Sequence, residues 1–355
     1  MKKLLEKLVQ SVNKNFPGVA SLGTDVIYAD IIDSVSTGCT PLDCALIGSA
    51  NPKGGLPYGR MIEIFGDSSE GKSTLAESVL AQNSKKGGIG ILLLTEGCID
   101  KKRLEKLGVD LSSLVTLEVS TIEDGFDSAA LLVKQIKGFT LEEKNRDSAL
   151  EKLKDLPIVI VWDSISQCTT RASFKSDDPS RWSGGMADVA RAIREKLRVH
   201  SSTFSRGRVC FIFVSQTIKQ LGMWGGSTTP GGSGIKFASS IRMEISRTDW
   251  IDGKSGREGI ISEVNIVKSK VSVPFRKVIV PIRFETGIDN DLSLWYALKD
   301  TGIFKSSGGW NYVTLPDGTT KNFRWADYYK ILDTSIGENK TIRDYLLEKV
   351  SELYK

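Results

Sequence analysis

Hydrophobic and polar positions along this chain follow two alternating periods. From Gly59 to about Ile245, near-continuous apolar runs are separated by stretches whose apolar residues recur three or four apart. The runs Met61–Phe65, Gly90–Thr95, Ile158–Asp163, Val209–Ser215 and Ile241–Ile245 predict strands of a buried parallel sheet covered on both faces. The patterns near 74–86, 101–107, 124–137 and 184–201 predict helices. Strand and helix therefore alternate, which is the signature of an α/β fold with a central, mostly parallel sheet.

Outside that region the pattern changes. Leu4, Leu5, Leu8, Val9 and Val12 stand at helical spacing among Lys2, Lys3, Lys7 and Lys14, predicting an amphipathic helix that Phe16-Pro17-Gly18 ends. Such a helix must cover a surface on its own subunit or on a neighbour. Residues 140–155 read as a charged, helical surface excursion. A last strand region over 260–286 precedes a smaller α/β unit from about 290, with turn signals at Ser307-Gly308-Gly309 and Pro316-Asp317-Gly318. An amphipathic helix is expected over Ile342–Tyr354.

The composition is that of an ordinary globular protein: 355 residues, 40% hydrophobic and 26% charged. No apolar run approaches membrane-spanning length, and the N-terminus lacks the apolar core of a signal peptide. Cys39, Cys44, Cys98, Cys168 and Cys210 are scattered without C-x-x-C spacing, which argues against a disulfide framework or zinc site and for a reducing cytoplasm. The single histidine, His200, cannot support a His-rich metal site. A formal net charge of +5 is compatible with a polyanionic partner without requiring one.

The chemistry concentrates where the first buried strand ends. Met61-Ile62-Glu63-Ile64-Phe65 runs into Gly66-Asp67-Ser68-Ser69-Glu70-Gly71-Lys72-Ser73-Thr74, a phosphate-binding loop between a strand and a helix. Glycines let the backbone turn its N–H groups onto one phosphate chain, and the helix N-terminus adds partial positive charge there. Lys72 is placed to reach the β- and γ-phosphates of a nucleoside triphosphate, and the Ser73 hydroxyl to ligate Mg²⁺. Asp163 ends the apolar strand Ile158–Asp163 and is the second candidate Mg²⁺ partner.

Two more strands end in polar residues. Glu96 follows Ile91-Leu92-Leu93-Leu94-Thr95 and is a candidate to orient or deprotonate the attacking water, with a plain surface glutamate as the alternative. Gln216 follows Phe211-Ile212-Phe213-Val214-Ser215 and can sense a γ-phosphate by hydrogen bonding. Beyond it, Leu221-Gly222-Met223-Trp224-Gly225-Gly226 leads through Gly231, Gly232 and Ser233, a Gly-rich stretch carrying large apolar residues. A second irregular stretch holds Arg171, Phe174, Lys175, Arg181 and Trp182. Cations interleaved with aromatics fit single-stranded nucleic acid, although two solvated loops have the same composition.

Several segments together resemble the bacterial RecA recombinase family. They are Ser36-Thr37-Gly38-Cys39-Thr40-Pro41-Leu42-Asp43, Gly55-Leu56-Pro57-Tyr58-Gly59-Arg60, Gly231-Gly232-Ser233-Gly234-Ile235-Lys236-Phe237, Val267-Lys268-Ser269-Lys270-Val271-Ser272-Val273-Pro274-Phe275 and Gly309-Trp310-Asn311-Tyr312. They occur in the family's order from one end of the chain to the other. The resemblance implies a RecA-type ATPase core over 36–288, preceded by an N-terminal helix and subunit-docking segment over 1–35 and followed by a small C-terminal α/β domain over 289–355. It also implies a DNA-dependent ATPase that forms helical filaments on single-stranded DNA, with ATP between subunits, and pairs that strand with a homologous duplex.

Residue by residue, the resemblance makes Glu96 the catalytic carboxylate, Gln216 the γ-phosphate sensor and Asp100 the adenine contact. Lys268 and Lys270 match the pair that reaches the neighbour's ATP, where cations can clamp transition-state charge in trans. By pattern alone they read as an exposed strand edge. Phe284 falls on a trans adenine-stacking position, Phe237 on a subunit-interface aromatic, and Arg194 near a phosphate-contacting arginine of the DNA site, which also takes in Leu221 as a wedge between bases.

The departures carry expectations of their own. Arg103 stands for the family's cis adenine-stacking tyrosine and Ser73 for its usual threonine. Ser246, Glu263 and Asn265 stand where relatives carry cations of a secondary, duplex-binding site, so weaker duplex capture is expected unless Lys254, Arg257, Lys305 or Lys321 compensates. The chain ends Leu353-Tyr354-Lys355 in place of an acidic tail, and the charged insertion marks a distant member, compatible with a phage origin. Two other readings share the core: a hexameric helicase-like ATPase, and a non-catalytic, ATP-switched coat for single-stranded DNA.

Overall fold

The structure, a computed structural model, describes residues 1–15, 20, 22, 33–47, 54–95, 97, 100–139, 148–174, 186–219, 227–229, 232–253, 256–337 and 339–354. Its centre is a sheet of nine strands: β1 (Met61–Gly66), β2 (Ile89–Leu94), β3 (Leu114–Glu118), β4 (Ile158–Asp163), β5 (Val209–Gln216), β6 (Ile241–Gly253), β7 (Gly256–Ser269), β8 (Lys277–Arg283) and β9 (Gly287–Ile288). Their order across the sheet is β9-β8-β7-β6-β1-β5-β4-β2-β3. From β6 to β3 every neighbouring pair is parallel, whereas β6 to β9 run as antiparallel neighbours.

The helices of more than five residues are α1 (Lys2–Asn15), α2 (Thr40–Ile47), α3 (Lys72–Lys85), α4 (Lys101–Leu107), α5 (Ile122–Lys137), α6 (Met186–Arg206), α7 (Ser233–Ala238), α8 (Asn290–Leu298) and α9 (Ile342–Leu353). Strand alternation divides the core between the two sheet faces. Ile62, Ile64, Val159, Val161, Ile212 and Val214 pack in one cluster with Leu75, Val79 and Leu80 of α3. Ile158, Ile160, Trp162, Phe211 and Phe213 pack in the other with Phe126 and Val133 of α5 and Ile193 and Leu197 of α6. That second face is aromatic, with Phe126 edge-on to Trp162 at 5.1 Å and Phe211 stacked on Phe213 at 4.4 Å.

A separate cluster gathers Leu294, Leu298, Phe304, Phe323, Tyr328 and Leu346 around a three-stranded sheet, β10 (Phe304–Ser307), β11 (Trp310–Thr314) and β12 (Thr320–Phe323). Arg283, at the end of β8, ties this part to the large sheet. Its guanidinium meets Asp289 at 2.7 Å, Glu258 at 3.2 Å and the Tyr329 hydroxyl at 2.8 Å. At the other end of the chain α1 buries none of its residues, and Leu4 and Leu8 are more than half exposed. Among the described residues no helix is long and apolar enough to cross a membrane.

Two elements differ from the sequence expectation. The strand β3 is an edge strand whose Val115 and Thr116 are exposed, so Leu114–Glu118 lacks the uninterrupted apolar run that marks a buried strand. The strand expected to stop at Ile245 continues to Gly253 and pairs with β7, because main-chain hydrogen bonds sustain it where Ser246 to Asp249 face solvent. Arg257, ahead of the strand region expected to begin at 260, lies on β7. Of the excursion over 140–155, only a short helix at Ser148–Glu151 and the residues after it are described.

Gly125 of α5 lies against the indole of the fully buried Trp162, and any Cβ there would collide with the ring. Gly125→Val should therefore overpack this face and destabilise the fold by about 1–3 kcal/mol. A chemical-denaturation midpoint equal to that of the unsubstituted protein would contradict this packing.

Candidate ATP site and nucleic-acid interface

The parallel strands bring their carboxyl ends to one edge of the sheet, and the phosphate loop leaves from it. Every residue of β1 is buried, and Gly66 passes so close to the Ile245 carbonyl that no side chain fits. Gly71 caps α3 with φ +99°, a left-handed conformation suited to glycine, and its Cβ position is filled by Ile282. Lys72 is buried at 7% exposure and its ammonium donates to the Asp67 carbonyl within the loop. Burial pulls its pKa below the ordinary lysine value, while Asp163, Glu70 and Asp67 oppose that shift. A loop with no side chain at Gly66 or Gly71 and a buried cation beside it fits a phosphate chain.

The neighbouring strand ends close the site. Gln216 lies in register with Gly66 on β5, its backbone N–H donates to the Ser166 hydroxyl, and the next N–H, from Thr217, donates to the Gly66 carbonyl at 3.1 Å. Thr217 also bonds the Asp67 carboxylate through its hydroxyl. Asp163 pairs in register with Leu94, and Thr95 bonds both the N–H and the carbonyl of Ser164 at 3.1 Å. Glu96, one residue beyond Thr95, lies outside the described residues. Ser73 is half-buried at the start of α3. Among the described residues no three His, Cys, Asp or Glu side chains cluster as a metal cage.

Sequence reasoning missed Glu77. One turn after Ser73 on α3, it forms an ion pair with Arg103 at 3.0 Å that is not aligned as a hydrogen bond. Arg103 also donates to the Thr74 hydroxyl at 2.7 Å. Asp100 caps α4 by accepting from the Arg103 N–H at 3.0 Å. The arginine is thus anchored to the phosphate-loop helix at two points. Glu70 is tied outward: its carboxylate accepts from the Arg247 N–H and its carbonyl from the Ser262 hydroxyl, linking the loop to the β6–β7 hairpin.

A pair of cations stands elsewhere on the same chain. Lys268 donates to the Lys236 carbonyl at 2.5 Å, and both Lys268 and Lys270 approach the Phe237 carbonyl, at 3.4 and 3.5 Å. The two ammoniums are gathered at the C-terminus of α7, whose exposed carbonyls favour positive charge. Burial holds the Lys268 pKa below the ordinary value, and Lys270 and Arg242 push it the same way. Beneath them Arg242 pairs with Glu63, a carboxylate buried in the sheet at 0% exposure. Phe237 and Phe284 are large apolar side chains left at 74% and 51% exposure.

Comparison with known proteins gives the family. The model of the RecA N-terminal domain matches residues 3–139 and 147–289. A protein of Chloroflexus aggregans called Protein RecA is 32% identical over 286 residues, covering 79% of this chain and 73% of its own. A Protein RecA of Bacteroides thetaiotaomicron is 32% identical over 314 residues, covering 87% and 86%, and one of Rubrobacter xylanophilus is 31% identical over 310 residues, covering 87% and 82%. This chain belongs to the RecA family.

The DNA-side residues expected from the RecA resemblance are brought together only in part. Arg194 is exposed on α6, and its backbone packs beside Gly234, where a Cβ would sit 3.6 Å from the Arg194 Cα. Gly232, at φ +60°, packs likewise on Ala190, and Ser233 begins α7. Arg181, Trp182, Leu221, Gly222 and Gly231 lie outside the described residues, as does Lys254. At the positions read as a depleted duplex site, Ser246 faces Glu263 across the β6–β7 ladder, and Asn265 pairs with Lys277. Lys277 neutralises Glu263 at 2.8 Å, so the added anion is offset by a neighbour that the sequence pattern did not single out.

Glu77 makes the nucleotide site pH-sensitive. Burial raises its carboxyl to about 7, with Asp163 and Asp100 pushing the same way and Arg103 opposing. Because the folded pKa is raised, its contribution to stability is fully present below the unfolded value and is lost as pH rises through about 7. Glu77→Gln should flatten that loss and stabilise the protein at pH 8 by about 1–3 kcal/mol. Denaturation midpoints at pH 5 and pH 8 test it, and an unchanged difference between the two pH values would refute it.

Proposed function

We propose that this chain is a recombinase of homologous recombination and repair, acting in the cytoplasm. It is a DNA-dependent ATPase that assembles as a helical filament on single-stranded DNA and pairs that strand with a homologous duplex. The observation that carries this reading is a division of labour on one chain. A phosphate cradle with Lys72, Asp163 and Gln216 occupies the sheet edge, while Lys268 and Lys270, held on the carbonyls at the end of α7, and the exposed rings of Phe237 and Phe284 lie apart from it.

ATP is the substrate. The loop N–H groups from Asp67 to Thr74 hold its phosphates, Lys72 engages the β- and γ-phosphates, and Gln216 reports the γ-phosphate to the Gly-rich loop after β5. Mg²⁺, held by Ser73 and Asp163, neutralises phosphate charge when bound. Glu96 orients the attacking water, and Arg103 and Asp100 flank the base in cis. Lys268 and Lys270 of an adjacent subunit meet the charge that develops on the transferred phosphoryl group, and Phe284 stacks on the base from that side. The interface is completed by Phe237 and by α1, whose apolar face docks on the next copy. Residues 1–35, 36–288 and 289–355 are the docking segment, core and C-terminal domain of this reading.

Single-stranded DNA lies on Arg194, Gly232, Ser233 and the flanking loops with Arg181, Trp182, Leu221, Gly222 and Gly231. For the duplex, the hairpin supplies what Ser246, Glu263 and Asn265 lack. Trp250 is held between the guanidinium groups of Arg247 and Arg257, at 4.3 and 3.7 Å from its ring centroid. Neither arginine makes an ion pair among the described residues. This stack fixes two cations at a constant spacing for phosphate contacts.

Shared-site hydrolysis has a direct test. Lys268→Ala and Glu96→Gln proteins should each lose DNA-stimulated phosphate release by orders of magnitude, while the Glu96→Gln protein still forms filaments visible by electron microscopy. Mixing the two should restore activity at interfaces that carry both intact partners. Mixtures that never exceed the summed activity of the separate proteins, or closed rings in place of filaments, would overturn the reading.

The duplex site is tested on preformed filaments. Arg247→Ala with Arg257→Ala should weaken duplex binding and flatten its salt dependence by about 0.9 in log–log slope for each lost contact. An unchanged slope with ATPase intact would place the duplex elsewhere.

A further inference from the structure

The amino-terminal edge of the sheet, opposite the phosphate loop, holds a cavity of about 300 Å³ where the chain enters β1, β4 and β5. Its walls carry Lys137, Lys154, Arg206 and Arg208 against Asp33 and Asp155. Asp33 is already engaged by Lys86 at 2.9 Å, which among the described lining residues leaves one carboxylate, Asp155, facing four cations. Lys154 has only a loose pair with Glu151, at 3.4 Å between two half-exposed side chains. Among the described residues neither Arg206 nor Arg208 has an ion-pair partner.

Helix capping accounts for part of this charge. Lys137 ends α5 and donates to the carbonyls of Lys154 and Leu156 at 2.7 and 2.8 Å, and Arg206 ends α6. It does not account for Arg208, which holds φ +52° although Gly207 precedes it directly. A left-handed residue after a helix is normally glycine, because a side chain there is strained. An arginine kept at that point adds a cation to a cavity that already has too many. Lys137 registers the crowding: burial lowers its pKa to about 8, Arg208 pushes the same way, and Asp155 opposes.

The geometry points to a second anion site in this cavity, built by Arg206, Arg208, Lys137 and Lys154 to take a small diphosphate-bearing ligand. The aromatic walls are not offered to a base. Arg206 covers the Phe139 ring at 5.2 Å, Lys86 covers Tyr58 at 5.3 Å, and the Tyr58 hydroxyl donates to Asn83 at 2.7 Å. Recognition therefore rests on phosphate charge, and the volume suits a compact diphosphate better than the continuous track a nucleic acid needs.

The test uses the full chain with Lys72→Ala, which disables the phosphate loop, and calorimetric titration with inorganic pyrophosphate without magnesium. One site is expected. Adding Arg208→Gly should weaken it at least tenfold without lowering the denaturation midpoint, since glycine accepts the left-handed backbone. Adenosine diphosphate should bind no tighter than pyrophosphate. The proposal fails if the Lys72→Ala protein binds no pyrophosphate, or if Arg208→Gly leaves the affinity unchanged. It also fails if adenosine diphosphate binds more than tenfold tighter, which would show base recognition. Loss of oligonucleotide binding in place of pyrophosphate binding would assign the cavity to nucleic acid and equally overturn it.

Discussion

The parallel register of β1, β5, β4 and β2 is the constraint on which the rest of this structure depends. It places Gly66 beside Gln216 and Leu94 beside Asp163, so loops far apart in sequence open on one edge. Parallel strands need crossover helices, and those helices bury both faces of the sheet. The two clusters that result, one aliphatic against α3 and one aromatic against α5 and α6, leave the strands little freedom to slip. A one-residue slip of β5 would exchange its Phe211 and Phe213 face for its Ile212 and Val214 face. It would also move Gln216 away from the phosphate loop.

Desolvation then sets the charge balance at that edge. Lys72 is buried and Glu77 half-buried near Asp163, and desolvation favours the neutral form of each. An isolated buried charge would be costly, and here each has opposite charges nearby: Asp163, Glu70 and Asp67 for the lysine, Arg103 for the glutamate. A loop rich in anions is an unusual place to bring a nucleotide. Its own Asp67 and Glu70 are drawn aside, however, to the Thr217 hydroxyl and the Arg247 N–H. The cradle is thus left to backbone N–H groups and Lys72, and the loop becomes mechanically continuous with β5 on one side and the β6–β7 hairpin on the other.

The exposed apolar groups follow a different logic. Buried faces are satisfied within the chain, whereas Leu4, Leu8, Phe237 and Phe284 are left largely to solvent, and Lys268 and Lys270 converge on a helix end, with Glu63 opposing part of the charge on Lys268. Exposed apolar side chains of this size are surfaces that contact with another molecule would cover. In the proposed filament the same chain serves as site and as partner, the head-to-tail arrangement that open helical assemblies use.

Much of this could be read from the amino-acid order alone. The five buried strands, the phosphate loop and the polar residues that end each strand are local patterns, since apolar runs and glycine spacing act over a few residues. The family, too, lies in short segments whose order survives at about 32% identity. Tertiary structure decided the rest, because the deciding partners are distant in sequence. The edge strand β3 and the hairpin beyond Ile245 exist through main-chain pairing and show no core pattern. Nothing local shows that Glu77 meets Arg103, that Lys277 neutralises Glu263, or that Arg257 reaches Trp250. Side-chain periodicity reports which face of an element is buried. It does not report which charge will stand opposite, and at this site that choice sets the pKa values and the free cations.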